Sequence, residues 1–228
     1  EFLPRYEQLV REIAELRASD GSSDTLMERE LILDLLEKSR EANPMLGHRG
    51  CRLGITYPSI YRMQVKAIIS ACCDLIEQGR SVQPEIMVPL TSHVNEMSLL
   101  RRRLTKVANE VQFERGTEVS YKFGTMIEVP RAALTASDIA SESDFFSFGT
   151  NDLTQTTYGY SRDDAEGKFL RAYIENGILP KDPFVTIEAD GVGELIRLGT
   201  ERGRQAKPGL EVGICGEHGG DPASIDLC

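Results

Sequence analysis

An apolar segment passes directly into a polar turn in Phe145-Phe-Ser-Phe-Gly-Thr-Asn-Asp-Leu-Thr-Gln155. Its first part, residues 145–150, has the length and composition of a buried β-strand. A glycine at the strand end allows a ligand to approach the backbone closely, and successive amides in such a turn can bind an anion. The segment therefore predicts a strand with candidate ligand-binding residues at its end: Gly149, Thr150, Asn151 and Asp152.

Further apolar segments of this kind are separated by helical patterns along the whole chain. Strands are predicted at residues 47–55, 85–90, 122–129, 145–150 and 211–215. Helices are predicted at residues 5–18, 26–39, 59–78, 92–111, 165–174 and 192–204, with another from about residue 130. Strands that alternate with helices pair in parallel through right-handed crossovers. The pattern indicates an α/β fold, either a doubly wound sheet or a (β/α)8 barrel.

Polar residues fall at or just after the carboxyl ends of the predicted strands. Glu128, Asp152 and Glu217 all have this position. Both α/β architectures place their functional sites at that edge of the sheet. No Gly-x-Gly-x-x-Gly motif follows a predicted strand, which argues against a dinucleotide-binding sheet.

The composition narrows the class of protein. The 228 residues are 40% hydrophobic, which suits one globular domain or part of a larger one. The net charge of −10 argues against nucleic acid as a partner. No apolar run reaches the roughly 18 residues of a membrane span, and no signal peptide is recognisable. The five cysteines have no disulfide or zinc spacing, so we expect free thiols in a reducing compartment. Both chain ends are expected to lie within a longer protein.

Two carboxylates are candidate metal ligands. Glu128 ends one apolar strand, and Asp152 follows the next one along the chain. Mg²⁺ prefers carboxylate oxygens and usually takes one or two from the protein. Each residue has an alternative role as a cap of the helix that follows it. Because the two residues end successive strands, the metal interpretation is favoured for the pair.

Arg49 is a candidate ligand for an anion. Arg49 and Arg52 alternate along the predicted strand at residues 47–55, so one of them would point toward the strand-end edge. A planar guanidinium makes bidentate contacts with phosphate or carboxylate groups. The alternative is an ordinary surface arginine.

Cys215 ends the last predicted strand and is a candidate proton donor. A neutral thiol can donate a proton near neutral pH. The alternative is a buried, inert thiol, the usual state of a free cysteine. Glu217 and His218 follow in a glycine-rich loop and are candidate supporting groups.

His93 lies in a short motif, Thr91-Ser-His93, that is similar to the phosphohistidine motif of swivelling domains. The glycine-rich and alanine-rich context of that motif is missing here. We interpret the segment instead as a helix N-terminus with Ser92 as the N-cap.

Four motifs together resemble the C-terminal domain of the pyruvate, phosphate dikinase family, and they occur in the right order. They are Asn43-Pro-Met-Leu-Gly-His-Arg-Gly-Cys-Arg52, Gly124-Thr-Met-Ile-Glu-Val-Pro-Arg131, Phe145-Phe-Ser-Phe-Gly-Thr-Asn-Asp-Leu-Thr-Gln155 and Cys215-Gly-Glu-His-Gly-Gly-Asp-Pro222. The likeness covers nearly the whole chain. The third motif is similar in phosphoenolpyruvate synthase and in enzyme I of the sugar phosphotransferase system, whereas the last resembles the dikinases specifically.

The resemblance implies a fold and a set of site residues. The fold would be a (β/α)8 TIM-type barrel, truncated at both ends of residues 1–228, with about five of eight strands present. Glu128 and Asp152 would hold Mg²⁺. Pyruvate or phosphoenolpyruvate (PEP) would be bound by residues near the strand ends: Arg49, Glu128, Gly149, Thr150, Asn151, Asp152 and Arg162. Cys215 would protonate the enolate carbon as pyruvate forms, and would remove a methyl proton in the reverse direction.

The resemblance also implies partners. The family interconverts ATP, phosphate and pyruvate with AMP, diphosphate and PEP. This chain would work with the phosphohistidine domain of the same parent chain, in a homodimer, in the cytoplasm or a plastid. PEP synthase and enzyme I are alternatives, and a non-catalytic α/β module that binds anions is a second alternative. The fragment alone is expected to be inactive and poorly soluble, because an open barrel leaves strand edges unpaired.

Overall fold

A computed structural model of the protein describes residues 6–18, 23–39 and 43–228, which belong to two compact units, Glu1–Gly47 and His48–Cys228. In the first unit α1 (Tyr6–Ala18) packs on α2 (Ser23–Ser39), and a 3₁₀ turn follows at Pro44–Leu46. Both helices agree with the prediction. Residue 5, where the first helix is predicted to begin, lies outside the described residues.

The second unit alternates helices and strands. Its strands are β1 (Glu85–Val88), β2 (Lys122–Ile127), β3 (Phe145–Gly149) and β4 (Glu211–Cys215). Its α-helices are α3 (Gly50–Thr56), α4 (Pro58–Glu77), α5 (Val94–Arg115), α6 (Pro130–Leu134), α7 (Ala136–Ala140), α8 (Thr150–Tyr158), α9 (Arg162–Lys168), α10 (Leu170–Glu175), α11 (Glu194–Ala206) and α12 (Pro222–Leu227). A π-helical turn precedes α11 at Ala189–Gly193, and a 3₁₀ turn follows β4 at Glu217–Gly220.

The strands of the described chain form one parallel sheet in the order β1-β2-β3-β4. Every crossover therefore proceeds in the same direction, and each connection contributes helices that pack on one face of the sheet, namely α5, α6 to α8, and α11. A doubly wound sheet reverses its strand order and covers both faces with helices, whereas a (β/α)8 barrel does neither. The α/β class is confirmed, and the topology is consistent with part of a (β/α)8 barrel.

Burial alternates along β1 because one face of the sheet packs on helices and the other does not. In β1, Ile86 and Val88 are buried, whereas Glu85 and Met87 are exposed. The buried face of β1 and β2 joins α4 and α5 in one apolar cluster. The buried face of β3 packs with α6, α7 and α8 in a second cluster. The opposite face, which would be the barrel interior, is the face on which the candidate site residues lie.

The predicted strand at residues 47–55 is wrong. The segment begins α3 at Gly50, and the described residues therefore contain four of the five predicted strands. Cys51 and Gly54 are the buried positions of α3, and their spacing of three residues is that of one helix face, whereas in a strand they would lie on opposite faces. Gly50 has a φ of 57°, and a Cβ atom there would lie 2.9 Å from the Cβ atom of Leu90. The close packing on Leu90 is a tertiary contact that local pattern does not reveal.

The N-terminus of α5 is capped by His93 and not by Ser92. The His93 ring accepts a hydrogen bond from the backbone N–H of Asn95 at 3.1 Å. The Glu96 carboxylate accepts from the backbone N–H groups of His93 at 2.9 Å and Ser92 at 2.8 Å. This reciprocal arrangement is a capping box with histidine in the capping position. The motif is thus a helix N-terminus, as expected, with its cap one residue later than predicted.

Asp144 fixes the amino end of β3. Its carboxylate accepts hydrogen bonds from the Phe123 backbone N–H at 3.0 Å and from Arg101 and Lys207 at 3.0–3.1 Å. Burial alone would raise the pKa of Asp144, but these donors hold it below its ordinary value. The cross-links tie β2, β3, α5 and the end of α11 together, and so help to set the register that aligns the strand ends.

Candidate active site

Three of the predicted site residues meet at the carboxyl ends of neighbouring strands. Glu128 follows β2, Gly149 ends β3 and Cys215 ends β4. The sheet register pairs Gly149 directly with Cys215. Alternation along the strands directs all three residues to the face that does not pack on helices. This face and edge correspond to the mouth of a (β/α)8 barrel, where active sites of that fold lie.

Glu128 is a buried carboxylate held in a defined orientation. It is only 4% exposed, and its Oε1 atom accepts a hydrogen bond of 2.6 Å from the backbone N–H of Leu90. Leu90 has a φ of 56°, a conformation that non-glycine residues seldom adopt. The loop after β1 is therefore bent into an unusual shape at the residue that binds Glu128.

Gly149 makes room for the Glu128 side chain. A Cβ atom on residue 149 would lie 2.8 Å from Glu128 Oε2 and 2.9 Å from Glu128 Cβ. Real Cβ atoms do not approach other atoms so closely, so the Glu128 side chain or the end of β3 would have to move. The glycine therefore has a packing reason in addition to the ligand approach that the sequence suggests.

The second carboxylate, Asp152, lies in the first turn of α8. Its Oδ1 atom accepts hydrogen bonds from the side-chain amides of Gln155 at 3.1 Å and Asn151 at 3.4 Å. The N-cap of α8 is Gly149, which offers no side-chain acceptor, so Asp152 does not cap the helix. The N–H groups of the first turn of a helix lack intrahelical partners and favour a negative ligand.

The environment of Glu128 disfavours its charge. Burial, together with the neighbouring charge of Asp152, raises the pKa of Glu128 to about 7, although the Leu90 N–H and Arg49 oppose the shift. Two carboxylates that repel each other in a partly buried site are stabilised by a cation between them. The donor set of this chain, two carboxylates, matches the one or two that Mg²⁺ usually takes from a protein. Within the described ranges, no group of three His, Cys, Asp or Glu side chains is placed to hold a metal.

Arg49 reaches the site from the start of α3 and not from a strand. The backbone N–H of Cys51 donates to the Pro89 carbonyl at 3.0 Å, which docks the start of α3 on the loop after β1. The Arg49 guanidinium then lies 3.8 Å from Asp152 Oδ2 and is 48% exposed. The structure thus brings Arg49 to the predicted site despite the wrong secondary-structure prediction.

Arg162 lies beside the same turn but is already engaged by carboxylates. Its guanidinium forms ion pairs with Glu166, at 2.9 Å, and with Glu217, and it donates to Asn151 Oδ1 at 3.2 Å. Its backbone N–H donates to Gln155 Oε1 at 2.8 Å. Gln155 therefore links Asp152 to Arg162, a role that the sequence analysis missed. Gln155 lies three residues, about one helical turn, after Asp152, and this spacing was the sequence signal that could have predicted the contact.

Cys215 is partly exposed at the end of β4. Its Sγ atom lies 3.5 Å from the carbonyl oxygen of Phe148, and its own carbonyl lies 3.3 Å from Thr150 Oγ1. Cys215 therefore lies beside the turn that contains Gly149 and Thr150. Gly216 follows with a φ of 97°, a sharp turn that directs the next residues back toward α8.

Comparison with known proteins identifies the family. A family model described as "PEP-utilising enzyme, PEP-binding domain" matches residues 3–228. The chain belongs to this family. Its PEP-binding domain includes all of the strand-end residues described above. The family match agrees with the barrel topology that the strand order supports.

Three curated relatives of this PEP-binding domain are pyruvate, phosphate dikinases by name. The chain is 50% identical over 229 residues to "Pyruvate, phosphate dikinase" of Entamoeba histolytica, covering 100% of this chain and 26% of the relative. It is 53% identical over 227 residues to "Pyruvate, phosphate dikinase 1, chloroplastic" of Arabidopsis thaliana, covering 99% and 23%. It is 52% identical over 227 residues to "Pyruvate, phosphate dikinase 2" of Zea mays, covering 99% and 25%. The chain thus spans about a quarter of the length of these relatives.

Among the described residues of this PEP-binding domain, no helix combines the length and the apolar composition that crossing a bilayer requires. The cysteines at positions 51, 72, 73, 215 and 228 are all free, as their spacing predicts.

Proposed function

We propose that the chain is part of a pyruvate, phosphate dikinase and that it carries the Mg²⁺-dependent step that interconverts pyruvate and PEP. The names of the relatives support the overall activity. The observation that carries the assignment of this step is the convergence of two carboxylates and a thiol, Glu128, Asp152 and Cys215, on the end of β3. Residues 1–228 would be part of a PEP/pyruvate-binding barrel, and the remaining strands would come from other parts of the parent protein.

Glu128 and Asp152 are the residues that would hold Mg²⁺. When bound there, the ion would stabilise negative charge on the substrate's carboxylate and enolate oxygens. Glu128 is oriented for this role by the Leu90 N–H, and Asp152 by the side-chain amide of Gln155. A bound cation would offset the repulsion between the two carboxylates, and this gain favours its binding.

The anionic groups of the substrate would bind between the start of α8 and the arginines. The first turn of α8 presents N–H groups without a side-chain cap, at Thr150, Asn151 and Asp152. Arg49 lies beside Asp152 and would contact phosphoryl or carboxylate oxygens in a bidentate manner. Gly149 would let the substrate approach the end of β3.

Cys215 would transfer the proton. When pyruvate forms, the thiol would donate its proton to the methylene carbon of the enolate, and the resulting thiolate would be reprotonated from solvent. In the reverse direction the thiolate would take a proton from the methyl group and leave the enolate. The partial exposure of Cys215 at the strand end supports access to the substrate, whereas an inert structural thiol would be buried like Cys51.

The remaining partners belong to the complete reaction. The phosphohistidine domain of the same parent chain would deliver and accept the phosphoryl group, and Arg162 would contact that group as it moves. A nucleotide-binding domain and a homodimeric assembly are part of the same proposal. The compartment would be the cytoplasm or a plastid, since one relative is named chloroplastic and another is not.

The deciding experiment supplies the full-length parent protein with PEP, Mg²⁺, AMP and diphosphate and measures pyruvate and ATP. Formation of both products, dependent on diphosphate, is expected for the dikinase. ATP formed with phosphate in place of diphosphate would identify a PEP synthase. Pyruvate formed only with a phospho-accepting carrier protein would identify enzyme I. Absence of pyruvate under all conditions would favour the non-catalytic anion-binding module.

A further inference from the structure

His218 is buried next to the candidate site, and both of its ring nitrogens have partners. The side chain is 2% exposed. Its Nδ1 atom lies 2.7 Å from Thr150 Oγ1, and its Nε2 atom lies 3.0 Å from the Pro183 carbonyl oxygen. The imidazole therefore joins three segments that are distant in sequence: the loop after β4, the start of α8 and the loop around residue 183.

The partners define which nitrogen carries the proton. A carbonyl oxygen only accepts, so the Nε2 atom of His218 must donate to Pro183. Burial lowers the pKa of His218, which favours the neutral ring, so the Nδ1 atom is an acceptor. The Thr150 hydroxyl then donates to Nδ1. Its alternative acceptor, the Cys215 carbonyl, is farther away at 3.3 Å.

His218 is also close to Cys215 in sequence. Only Gly216 and Glu217 separate them, and the φ of 97° at Gly216 turns the chain sharply between β4 and the 3₁₀ turn that contains His218. A short, bent segment of this kind leaves Cys215 little freedom once His218 is anchored. The bond between His218 and Thr150 thus ties the thiol to the turn proposed to bind the substrate.

We propose that His218 is a positioning residue for the proton transfer at Cys215, acting through its hydrogen bond with Thr150. The proposal rests on the proposed function above and adds a residue to it. His218 does not contact the substrate. It holds the loop that follows the thiol at a fixed distance from the start of α8. A misplacement of about 1 Å at a reacting group can lower a rate about a hundredfold.

The test compares variants of the full-length parent protein that break one of the two bonds at a time. In His218→Gln the amide N–H can replace Nε2 and keep the Pro183 bond, while the Nδ1 acceptor is lost. In His218→Asn the side-chain oxygen can replace Nδ1 and keep the Thr150 bond. Thr150→Val removes the same bond from the other side. Thr154→Val is the matched control, since Thr154 is a buried threonine of α8 whose hydroxyl has no partner among the described residues.

The measurements are the rate of Mg²⁺-dependent exchange of pyruvate methyl protons, the KM for pyruvate and the thermal midpoint. We expect His218→Gln and Thr150→Val each to slow the maximal exchange rate about tenfold or more, with KM changed less than about threefold. His218→Asn should retain much of the rate, and Thr154→Val all of it. The double variant His218→Gln/Thr150→Val should be no slower than the slower single variant, because both changes remove one bond.

Several outcomes would overturn the proposal. An unchanged exchange rate in folded His218→Gln, or fully additive losses in the double variant, would leave His218 with a packing role only. His218 would also have only a packing role if His218→Asn and His218→Gln lost the same fraction of the rate, and if that loss increased in proportion to the fall in thermal midpoint. If the unmodified parent shows no methyl exchange at all, the proposed function itself fails, which is a different result from failure in the variants alone.

Discussion

The Glu128 carboxylate occupies the space that any side chain at residue 149 would need. A Cβ atom on Gly149 would lie 2.8 Å from Glu128 Oε2 and 2.6 Å from the sulfur of Met126. The end of β3 is thus glycine because the buried carboxylate from β2 lies against it. The absence of a side chain at Gly149 therefore allows the proposed metal ligand, Glu128, to take its observed position.

Gly149→Ala should therefore displace Glu128. We expect the Mg²⁺-dependent exchange of pyruvate methyl protons to fall about a hundredfold in the full-length parent, with an overpacking cost of about 1–3 kcal/mol in stability. Gly167→Ala in α9 is the control, because a Cβ atom there meets nothing within 4 Å. Normal exchange and normal Mg²⁺ dependence in Gly149→Ala would contradict the proposed role of the carboxylate.

The raised pKa of Glu128 predicts an unusual dependence of stability on pH in the metal-free protein. The pKa rises from its ordinary value of 4.5 to about 7 in the folded state, chiefly through burial. Between these two pH values the folded state holds more protons than the unfolded state. The contribution of Glu128 to the free energy of unfolding is therefore fully present below about pH 4.5 and is lost as the pH rises through about 7.

Glu128→Gln should remove this dependence, because the amide does not titrate and its oxygen can still accept from the Leu90 N–H. We expect the thermal midpoint of the metal-free variant to exceed that of the unmodified protein at pH 8, and the difference to shrink at pH 5. Mg²⁺ at pH 8 should stabilise the unmodified protein but not the variant. Glu118→Gln, on an exposed surface, is the control. A pH profile of Glu128→Gln parallel to that of the unmodified protein would exclude Glu128 as the titrating group.

Cys215→Ala should abolish methyl-proton exchange while leaving PEP binding intact. The thiol carries the proposed proton, whereas the groups proposed to bind the anion lie on α3 and α8. Exchange is measured by loss of label from the methyl group, and binding by protection of the domain against thermal unfolding. Cys228→Ala, at an exposed cysteine, should behave like the unmodified protein. Unchanged exchange in Cys215→Ala would remove Cys215 from the mechanism.

Glu217→Gln should tighten PEP binding about two- to threefold. The Glu217 carboxylate, which is 69% exposed, forms an ion pair with Arg162, so its neutralisation leaves the guanidinium more available to an anion. Exposed ion pairs contribute less than about 1 kcal/mol, which limits the size of the effect. Glu175→Gln breaks a comparable exposed pair, with Arg171, and should have no effect. Weaker PEP binding in Glu217→Gln would mean that Glu217 holds Arg162 in its working position.

Local pattern was sufficient to predict the strands that form the sheet and the residues at their ends. In β2, β3 and β4 a short apolar run has a glycine or carboxylate at or just after its end, and such signals are encoded within a few residues. The segment at residues 47–55 shows where this approach fails. Apolar residues in a short glycine-containing stretch fit both a strand and a short helix, and the packing of Gly50 on Leu90 favours the helix.

Local composition and motifs were enough to predict the α/β class, the approximate ends of β2, β3 and β4, and the kinds of side chain at the site. The interactions among those side chains depend on the tertiary structure. The contact of Glu128 with Gly149 depends on the register of neighbouring strands, and the raised pKa of Glu128 depends on its burial. The hydrogen bond between His218 and Thr150 joins residues 68 positions apart. Such contacts arise from the packing of distant segments, which no local pattern encodes.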